Sequence, residues 1–342
     1  MKAIIFNAHG GPEVLKFTDV PDPTIRPNEV LVRVKACALN HLDVWVRLGL
    51  PGVPIPLPHI PGSDVSGEIA QIGADVTTVR AGQKVVLAPG VTCGKCPACV
   101  AGQDNHCRQF TNLGYLIDGG YAEFVRAPEV NCLPYPENLS FEEAASIPLV
   151  FQTAWHMLLA RAELQPGEDV LVLGAGSGVG SAAIQIAKFF GARVIATAGS
   201  DEKLQKAKQL GADHLINHKT QKIRDEVRRI TNKRGVDVVF EHVGTATWDD
   251  SLASLAAGGR LVTCGATTGY DAKVDLRFLF TRQLSLLGSY MGTKAELHSL
   301  MRLVASGRFK PIVDRVFALA EAAAAHSYLE SSSQFGKVVL RI

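Results

Sequence analysis

Val170-Leu-Val-Leu-Gly-Ala-Gly-Ser-Gly-Val-Gly180 is an apolar run that breaks into glycines and leads into an amphipathic stretch, residues 181–190, ended by Gly191. Four consecutive apolar residues suit a strand buried on both faces, and the change to a 3.6-residue rhythm marks a helix. Glycines between the two permit a tight turn and let backbone N–H groups approach a pyrophosphate at the helix N-terminus. The spacing departs from G-x-G-x-x-G, since Ser177 and Ala175 stand where glycines are expected when counting back from Gly180. The strand–turn–helix context therefore carries the reading. Gly176, Ser177, Gly178, Val179 and Gly180 are the candidate cofactor contacts.

The same rhythm continues downstream. Residues 193–197 read as a second strand and 201–210, ended by Gly211, as a second helix. Residues 237–241, 260–264 and 285–288 supply later strands with helical segments between. Alternating strands and helices with continuous apolar strands predict a doubly wound parallel sheet covered on both faces. Upstream the chain is β-rich: 30–35 alternates with period two, and 85–87 and 121–125 are short strands. Prolines between Pro51 and Pro61 make that stretch an irregular loop, and Ser140 caps a helix with Glu142 and Glu143 in its first turn. From Val313 the pattern is β-like again and closes with 337–340. The fold class is α/β, with a β-rich domain flanking the parallel sheet. There is no internal repeat and no low-complexity tract beyond Ala322-Ala-Ala-Ala325.

Dinucleotide folds place an acidic residue at the tip of the second strand to hold the adenosine ribose hydroxyls. Here that tip reads Ala196-Thr-Ala-Gly-Ser200, without a carboxylate. The space left, with Ser200 and Lys203 beside it, favours the 2′-phosphate of NADPH over NADH. Asp201 and Glu202 lie in the following helix and favour its positive end.

With 342 residues, at roughly 150 per domain, the chain has room for two domains. It is 47% hydrophobic and 20% charged, with 35 Lys+Arg against 33 Asp+Glu and a net charge of +2. That balance excludes disorder and gives no reason to expect a nucleic-acid or membrane partner. No window approaches the ~20 apolar residues of a membrane span, and residues 1–11 lack the apolar core and cleavage site of a signal peptide. A soluble cytoplasmic protein acting on a small molecule is the expectation. Of seven cysteines, Cys93, Cys96, Cys99 and Cys107 fall on one short loop with spacing x2, x2 and x7. Four thiolates so placed match a closed tetrahedral structural Zn2+ site. An iron–sulfur run has three residues before its last cysteine and a proline after it, whereas Arg108 follows here. Cys37, Cys132 and Cys264 sit in apolar surroundings and read as buried thiols.

These features together resemble the medium-chain dehydrogenase/reductase superfamily of zinc alcohol dehydrogenases and quinone oxidoreductases. Its marks are the four-cysteine lobe, Pro61-Gly-Ser-Asp64-x2-Gly67, Gly119-Gly-Tyr-Ala-Glu123, the glycine turn, Gly199-Ser-x2-Lys203 and Gly258-Gly-Arg-Leu-Val262. The resemblance implies a GroES-like catalytic domain from residues 1–145 and 291–342, with the zinc lobe near 93–107, and a Rossmann domain from 146–290. It implies further that Thr153 faces the nicotinamide and Trp155 packs; as bare residues both would be core.

Zinc alcohol dehydrogenases bind a second, catalytic zinc through a Cys, a His in a Gly-His-Glu triplet, and a later Cys. By resemblance those positions are Asn40, Ser63 and Leu149 here, with Asp64 for the Glu. Leucine offers no ligand atom, and neutral Asn and Ser are poor zinc ligands. Asn40-x2-Asp43-x3-Arg47 resembles instead the quinone oxidoreductase branch, which works without a catalytic metal. Asn40 and Asp43 are accordingly the candidate catalytic residues, although both also suit a helix cap after the 30–35 strand. His41, His59 and Asp64 offer a non-standard second metal site, against which a histidine in a proline-rich loop is an ordinary surface residue. The expected activity is NADPH-dependent hydride transfer to a quinone or α,β-unsaturated carbonyl, with Asn40 donating to the developing oxyanion or placing the nicotinamide ribose, and water supplying the proton. The rivals are an alcohol dehydrogenase with unusual ligands and a non-catalytic NADPH-binding protein. A homodimer or homotetramer is expected, with the apolar strand near 284–288 as an edge that a second copy could pair with.

Overall fold

Strands that must be covered on both faces need side chains that tolerate it, and the apolar runs of the central segment supply them. The computed structural model describes residues 1–342, which divide into two units, 1–149 with 293–342 and 150–292. Those divisions lie a few residues beyond the boundaries drawn from sequence at 145/146 and 290/291.

In the unit of residues 150–292 six parallel strands form one sheet. Their spatial order is His214–Asn217, Arg193–Ala198, Asp169–Val172, Val236–Glu241, Leu255–Thr263 and Ser285–Gly288. The order reverses beside Asp169–Val172, which is the place where doubly wound sheets open a crevice for a dinucleotide. Leu171, Ile195, Val239 and Leu261 are fully buried along these strands. The first helix is Gly178–Phe189, three residues earlier than the sequence suggested, because Ser177 caps it by accepting the Gly180 N–H at 2.9 Å. The strand expected at 260–264 starts earlier, at Leu255, and ends before Cys264.

The other unit is built on a seven-stranded sheet. Val313–Ala318 and Lys337–Arg341 lie at one side, followed by Glu29–Ala38, Asp64–Ile72, Lys84–Leu87 and Cys132–Pro134, with Phe124–Pro128 also pairing Glu29–Ala38. The strand expected at 121–125 therefore lies at Phe124–Pro128, and Ala122 makes only an isolated bridge to Ala3. Residues 121–123 still bond to neighbouring backbone, with the Tyr121 carbonyl accepting Ile4 N–H at 2.8 Å and Glu123 N–H donating to the Lys2 carbonyl at 3.0 Å, but they bridge between segments before the regular ladder with Glu29–Ala38 begins. Register matters most at the strand Lys337–Arg341. Val339 pairs with Ala38, so Lys337 falls opposite residue 40, while Ala38 on its other side pairs with Asp64. Residues far apart in the chain thus meet at one sheet end. The helix His41–Leu48 starts there with Asn40 at its N-cap. No helix in the chain is long and apolar enough to cross a membrane.

The core of this unit also buries an arginine. Arg47 is fully buried and makes a fork to Glu330, with Nη2 to Oε1 at 2.8 Å and Nη1 to Oε2 at 3.1 Å. Its Nε donates to the Gly10 carbonyl at 3.0 Å, and Nη1 lies 3.2 Å from His326 Nδ1. Arginine has no acceptor, so Nδ1 must accept and the imidazole proton sits on Nε2, 3.2 Å from the Tyr121 hydroxyl. Burial, then the Arg47 charge, lowers His326 to about 3. A histidine held neutral in this way contributes stability that is full above its unfolded pKa of about 6.5 and is lost as pH falls below it. We expect His326→Gln to remove about 2 kcal/mol of the stability difference between pH 7 and pH 5. Denaturant unfolding of both proteins at the two pH values measures it, and equal differences would assign the acid sensitivity to other groups.

Candidate functional site

The glycine turn sits between Asp169–Val172 and Gly178–Phe189. Gly174 has φ +56°, and a Cβ on Gly180 would fall 2.4 Å from the Gly174 carbonyl oxygen. Only glycine allows the helix end to pack this closely on the turn. The first N–H groups of that helix, at Gly178 and Val179, have no intrahelical acceptor and point out of its positive end. Gly176 and Ser177 complete the turn, so the five sequence candidates lie on one continuous cradle. The residues present fit a dinucleotide pyrophosphate. Behind the turn, Glu241 at the end of its strand is fully buried and accepts from Val243 N at 2.6 Å, Gly244 N at 3.1 Å and Ser251 Oγ at 2.5 Å. This carboxylate, which no sequence motif marked, holds the loop of the neighbouring strand. Thr153 is buried on the helix Pro148–Trp155, and Trp155 packs edge-on against Phe190 at 5.5 Å.

At the tip of Arg193–Ala198, Ser200 is the N-cap of the helix Asp201–Gln209 and accepts the Lys203 N–H at 3.4 Å. As an acceptor in the cap, its hydroxyl keeps a proton to donate. Two further groups stand at this tip that the sequence reading missed. A Cβ on Gly199 would meet His218 Nε2 at 3.1 Å and Lys219 Cε at 3.2 Å. The third strand's register, Ala198 opposite Asn217, brings them there. Burial, then the charges of Lys219 and Lys203, lowers His218 below its usual value. The tip gathers the two lysine cations around an imidazole that they and burial hold toward its neutral form.

Cys93, Cys96, Cys99 and Cys107 place their sulfurs within 4.8 Å of one another. The separations are 3.5 Å for Cys96–Cys99, 3.6 Å for Cys93–Cys107 and 3.9 Å for Cys93–Cys99. Tetrahedral zinc with bonds of about 2.3 Å needs sulfurs about 3.8 Å apart. The donor set fits zinc. Backbone N–H groups of Lys95 and then Cys96 lower the Cys93 thiol to about 6, which favours the thiolate a metal binds. Of the three scattered cysteines, Cys37 is fully buried, while Cys132 and Cys264 are only partly so. Burial pushes the latter two up to about 12 and also raises Cys37 well above the ordinary thiol value.

Asn40, Asp43, Ser63, Asp64 and Leu149 come together at the sheet end described above. Asn40 Nδ2 donates to Asp64 Oδ2 at 3.0 Å, and the other Asp64 oxygen accepts the Leu149 N–H at 2.9 Å. Ser63 Oγ donates to the Leu113 carbonyl at 2.7 Å. The Lys337 ammonium, absent from the sequence reading, donates to Asn40 Oδ1 at 2.6 Å and to Asp64 Oδ2 at 3.0 Å. Asp43 is fully buried; its carboxylate accepts from Asn40 N at 2.7 Å and Gly62 N at 3.0 Å. Burial is the main reason its pKa rises to about 7. Asp43 thereby ties the helix start to the Gly62 turn.

His59 corrects the expectation of a surface residue. It is 1% exposed, with Nε2 donating to the Gly114 carbonyl at 3.1 Å, and burial lowers its pKa. The four-cysteine lobe is the one group of three or more His, Cys, Asp or Glu donor atoms close enough to share an ion. His41, His59 and Asp64 do not converge.

A two-domain fold with a dinucleotide cradle, a cysteine lobe and a buried polar centre defines a pyridine-nucleotide oxidoreductase. Residues 26–137 match the family described as alcohol dehydrogenase GroES-like domain, and 178–306 match zinc-binding dehydrogenase. The quinone oxidoreductase of Rattus norvegicus is 31% identical, over 99% of this chain and 97% of its own. A solved NAD-dependent alcohol dehydrogenase is 49% identical with TM-score 0.97, covering 100% of both chains. A crotonyl-CoA carboxylase/reductase solved with NADP is 28% identical with TM-score 0.93, covering 100% of this chain and 95% of its own. The chain belongs to the medium-chain dehydrogenase/reductase superfamily and is an oxidoreductase.

We expect one zinc per chain, and Cys107→Ala to lower the unfolding midpoint by more than about 4 °C while nucleotide affinity stays within about twofold. Elemental analysis and thermal melts test this; iron, or metal-free protein on fresh purification, would contradict it.

Proposed function

We propose that the chain is an NADPH-dependent reductase of the quinone oxidoreductase type, passing hydride to a quinone or an α,β-unsaturated carbonyl without a catalytic zinc. One observation carries this reading. Each position where an alcohol dehydrogenase of the family keeps a zinc ligand is here closed by the chain's own bonds. Asn40 Oδ1 is held by Lys337, Ser63 Oγ is spent on Leu113, and Leu149 offers only a backbone N–H, which Asp64 accepts.

When bound, the nicotinamide supplies the hydride. The protein's part is to hold the reductant by the glycine turn and to meet the acceptor's oxygen with a hydrogen bond. Conjugated carbonyls are electrophilic enough that alignment and one donor suffice. Asn40 is 6% exposed, and its second amide hydrogen has only a long 3.5 Å contact to the Ala38 carbonyl. That hydrogen is the donor available to a developing oxyanion. Asp43, with no exposed surface, positions Asn40 and Gly62 and does not itself touch the acceptor. Water supplies the final proton.

The two lysines at the strand tip, Lys203 and Lys219, with Ser200 and His218 as neutral hydrogen-bonding groups beside them, support NADPH. The unit also carries an exposed strand edge at Ser285–Gly288, which suits pairing between two copies as a homodimer or homotetramer. A second reading, NAD-dependent alcohol dehydrogenase, draws on the 49% identical neighbour of that name.

Two experiments separate them. A charge-assisted bond to the 2′-phosphate contributes about 1.5–3 kcal/mol, roughly 10- to 150-fold in affinity. Lys203→Ala should weaken NADPH within that range and leave NADH nearly unchanged, and a native preference for NADH would refute the cofactor assignment. Quinone or enone reduction should survive strong chelators, primary alcohol oxidation should be poor, and Asn40→Ala should slow reduction about 10- to 1,000-fold. Chelator-sensitive alcohol oxidation would establish the second reading, and NADPH binding without turnover of any acceptor would mark a non-catalytic protein.

A further inference from the structure

Lys337 sits where no charged residue is expected. It is 4% exposed, in a sheet whose neighbouring residues Val338, Val339 and Leu340 are fully buried. A buried ammonium persists only when paired and hydrogen-bonded. Two of its three hydrogens go to Asn40 Oδ1 and Asp64 Oδ2, and no other side chain of the protein bonds it.

The contacts leave Asn40 one orientation. Lysine has no acceptor and an ionised carboxylate no donor, so the oxygen of the amide must face Lys337 and its nitrogen must face Asp64. Turning the amide over would set N–H against ammonium and oxygen against carboxylate. The remaining amide hydrogen is thereby aimed in a fixed direction.

We infer that Lys337 is the resident cation of this centre and a positioning residue for the reaction, fixing the Asn40 amide as a donor while compensating the buried Asp64 charge. Its kinetic part rests on the reductase reading above; its electrostatic part does not. The charged and titratable groups facing Asp64 are Lys337 on one strand, Asp43 on the adjoining helix and the Cys37 thiol on the central strand.

The test uses the full-length zinc-loaded chain and three variants: Lys337→Met, Lys337→Arg, and Lys337→Met with Asp64→Asn. Thermal midpoints are compared between about pH 5.5 and 8. In Lys337→Met the buried Asp64 loses its cation, so the folded state favours its protonated form. Stability should then fall as pH rises, more steeply than in the wild type, whose own slope includes Asp43. The double variant should return to the wild-type slope, and Lys337→Arg should keep it. An unchanged slope in Lys337→Met overturns the pairing, whether or not any acceptor is turned over. In turnover, Lys337→Met should lose about 30-fold or more in kcat with the NADPH dissociation constant within about threefold, and Lys337→Arg should stay within about tenfold of wild type. The double variant should regain stability but not kcat. Recovery of both would reduce Lys337 to a counterion, and weakened NADPH binding at unchanged kcat would make it a cofactor contact; either overturns the positioning role. A wild type that reduces no acceptor refutes the reductase reading alone, because the pH slopes still report on Lys337.

Discussion

A buried ammonium, carboxylate and amide that satisfy one another constrain the rest of the unit that holds them. Taking a lysine and an aspartate out of solvent costs several kcal/mol per ion, and their attraction offsets this only with close geometry and further hydrogen bonds. Asp64 obtains them from Asn40 and the Leu149 N–H, and Lys337 from Asn40 and Asp64. These bonds tie the ends of three neighbouring strands and the start of the His41–Leu48 helix together. Moving the strand of Lys337 or that of Asp64 by an ångström would part the buried ion pair, and moving Asn40 would cost each of them a hydrogen bond. The polar centre is therefore rigid because its components are costly to separate.

Much of this was legible in the sequence, and the reasons differ by element. The cysteine lobe could be read because all four donors lie on one loop, so that linear spacing is also spatial spacing. The Rossmann unit could be read because burial on both faces leaves a continuous apolar run, interrupted by glycines where the backbone must approach a phosphate. Boundaries slipped where a local contact outweighed periodicity, as when Ser177 started its helix early. His59 was misjudged because a proline-rich loop looks exposed until the loop folds back over it.

Lys337 was hidden for a different reason. Its partner Asn40 lies 297 residues earlier in the chain, and only sheet register brings the two together. A single charge at the head of an apolar strand was the available sign, but nothing local says which groups receive it. His218 and Lys219 were missed in the same way, since they reach the cofactor end of the sheet through the pairing of the third strand with the second. Asp43 was read both as a chemical candidate and as part of a helix cap, and the two backbone donors it meets, Asn40 N and Gly62 N, show the second of these.

The closing strand has a consequence for the order in which the molecule is made. Residues 150–292 leave the ribosome as one uninterrupted stretch and hold within themselves every strand of their sheet, so they can fold while synthesis continues. The unit that contains Asn40 and Asp64 cannot, because two of its seven strands, Val313–Ala318 and Lys337–Arg341, and the ammonium that pairs Asp64 come from beyond residue 292. Until those residues emerge, two carboxylates and an unpaired strand edge wait without their partner, the condition in which a chain is most exposed to mispairing. The unit of residues 150–292 is thus complete before the polar centre of Asn40, Asp64 and Lys337 can assemble.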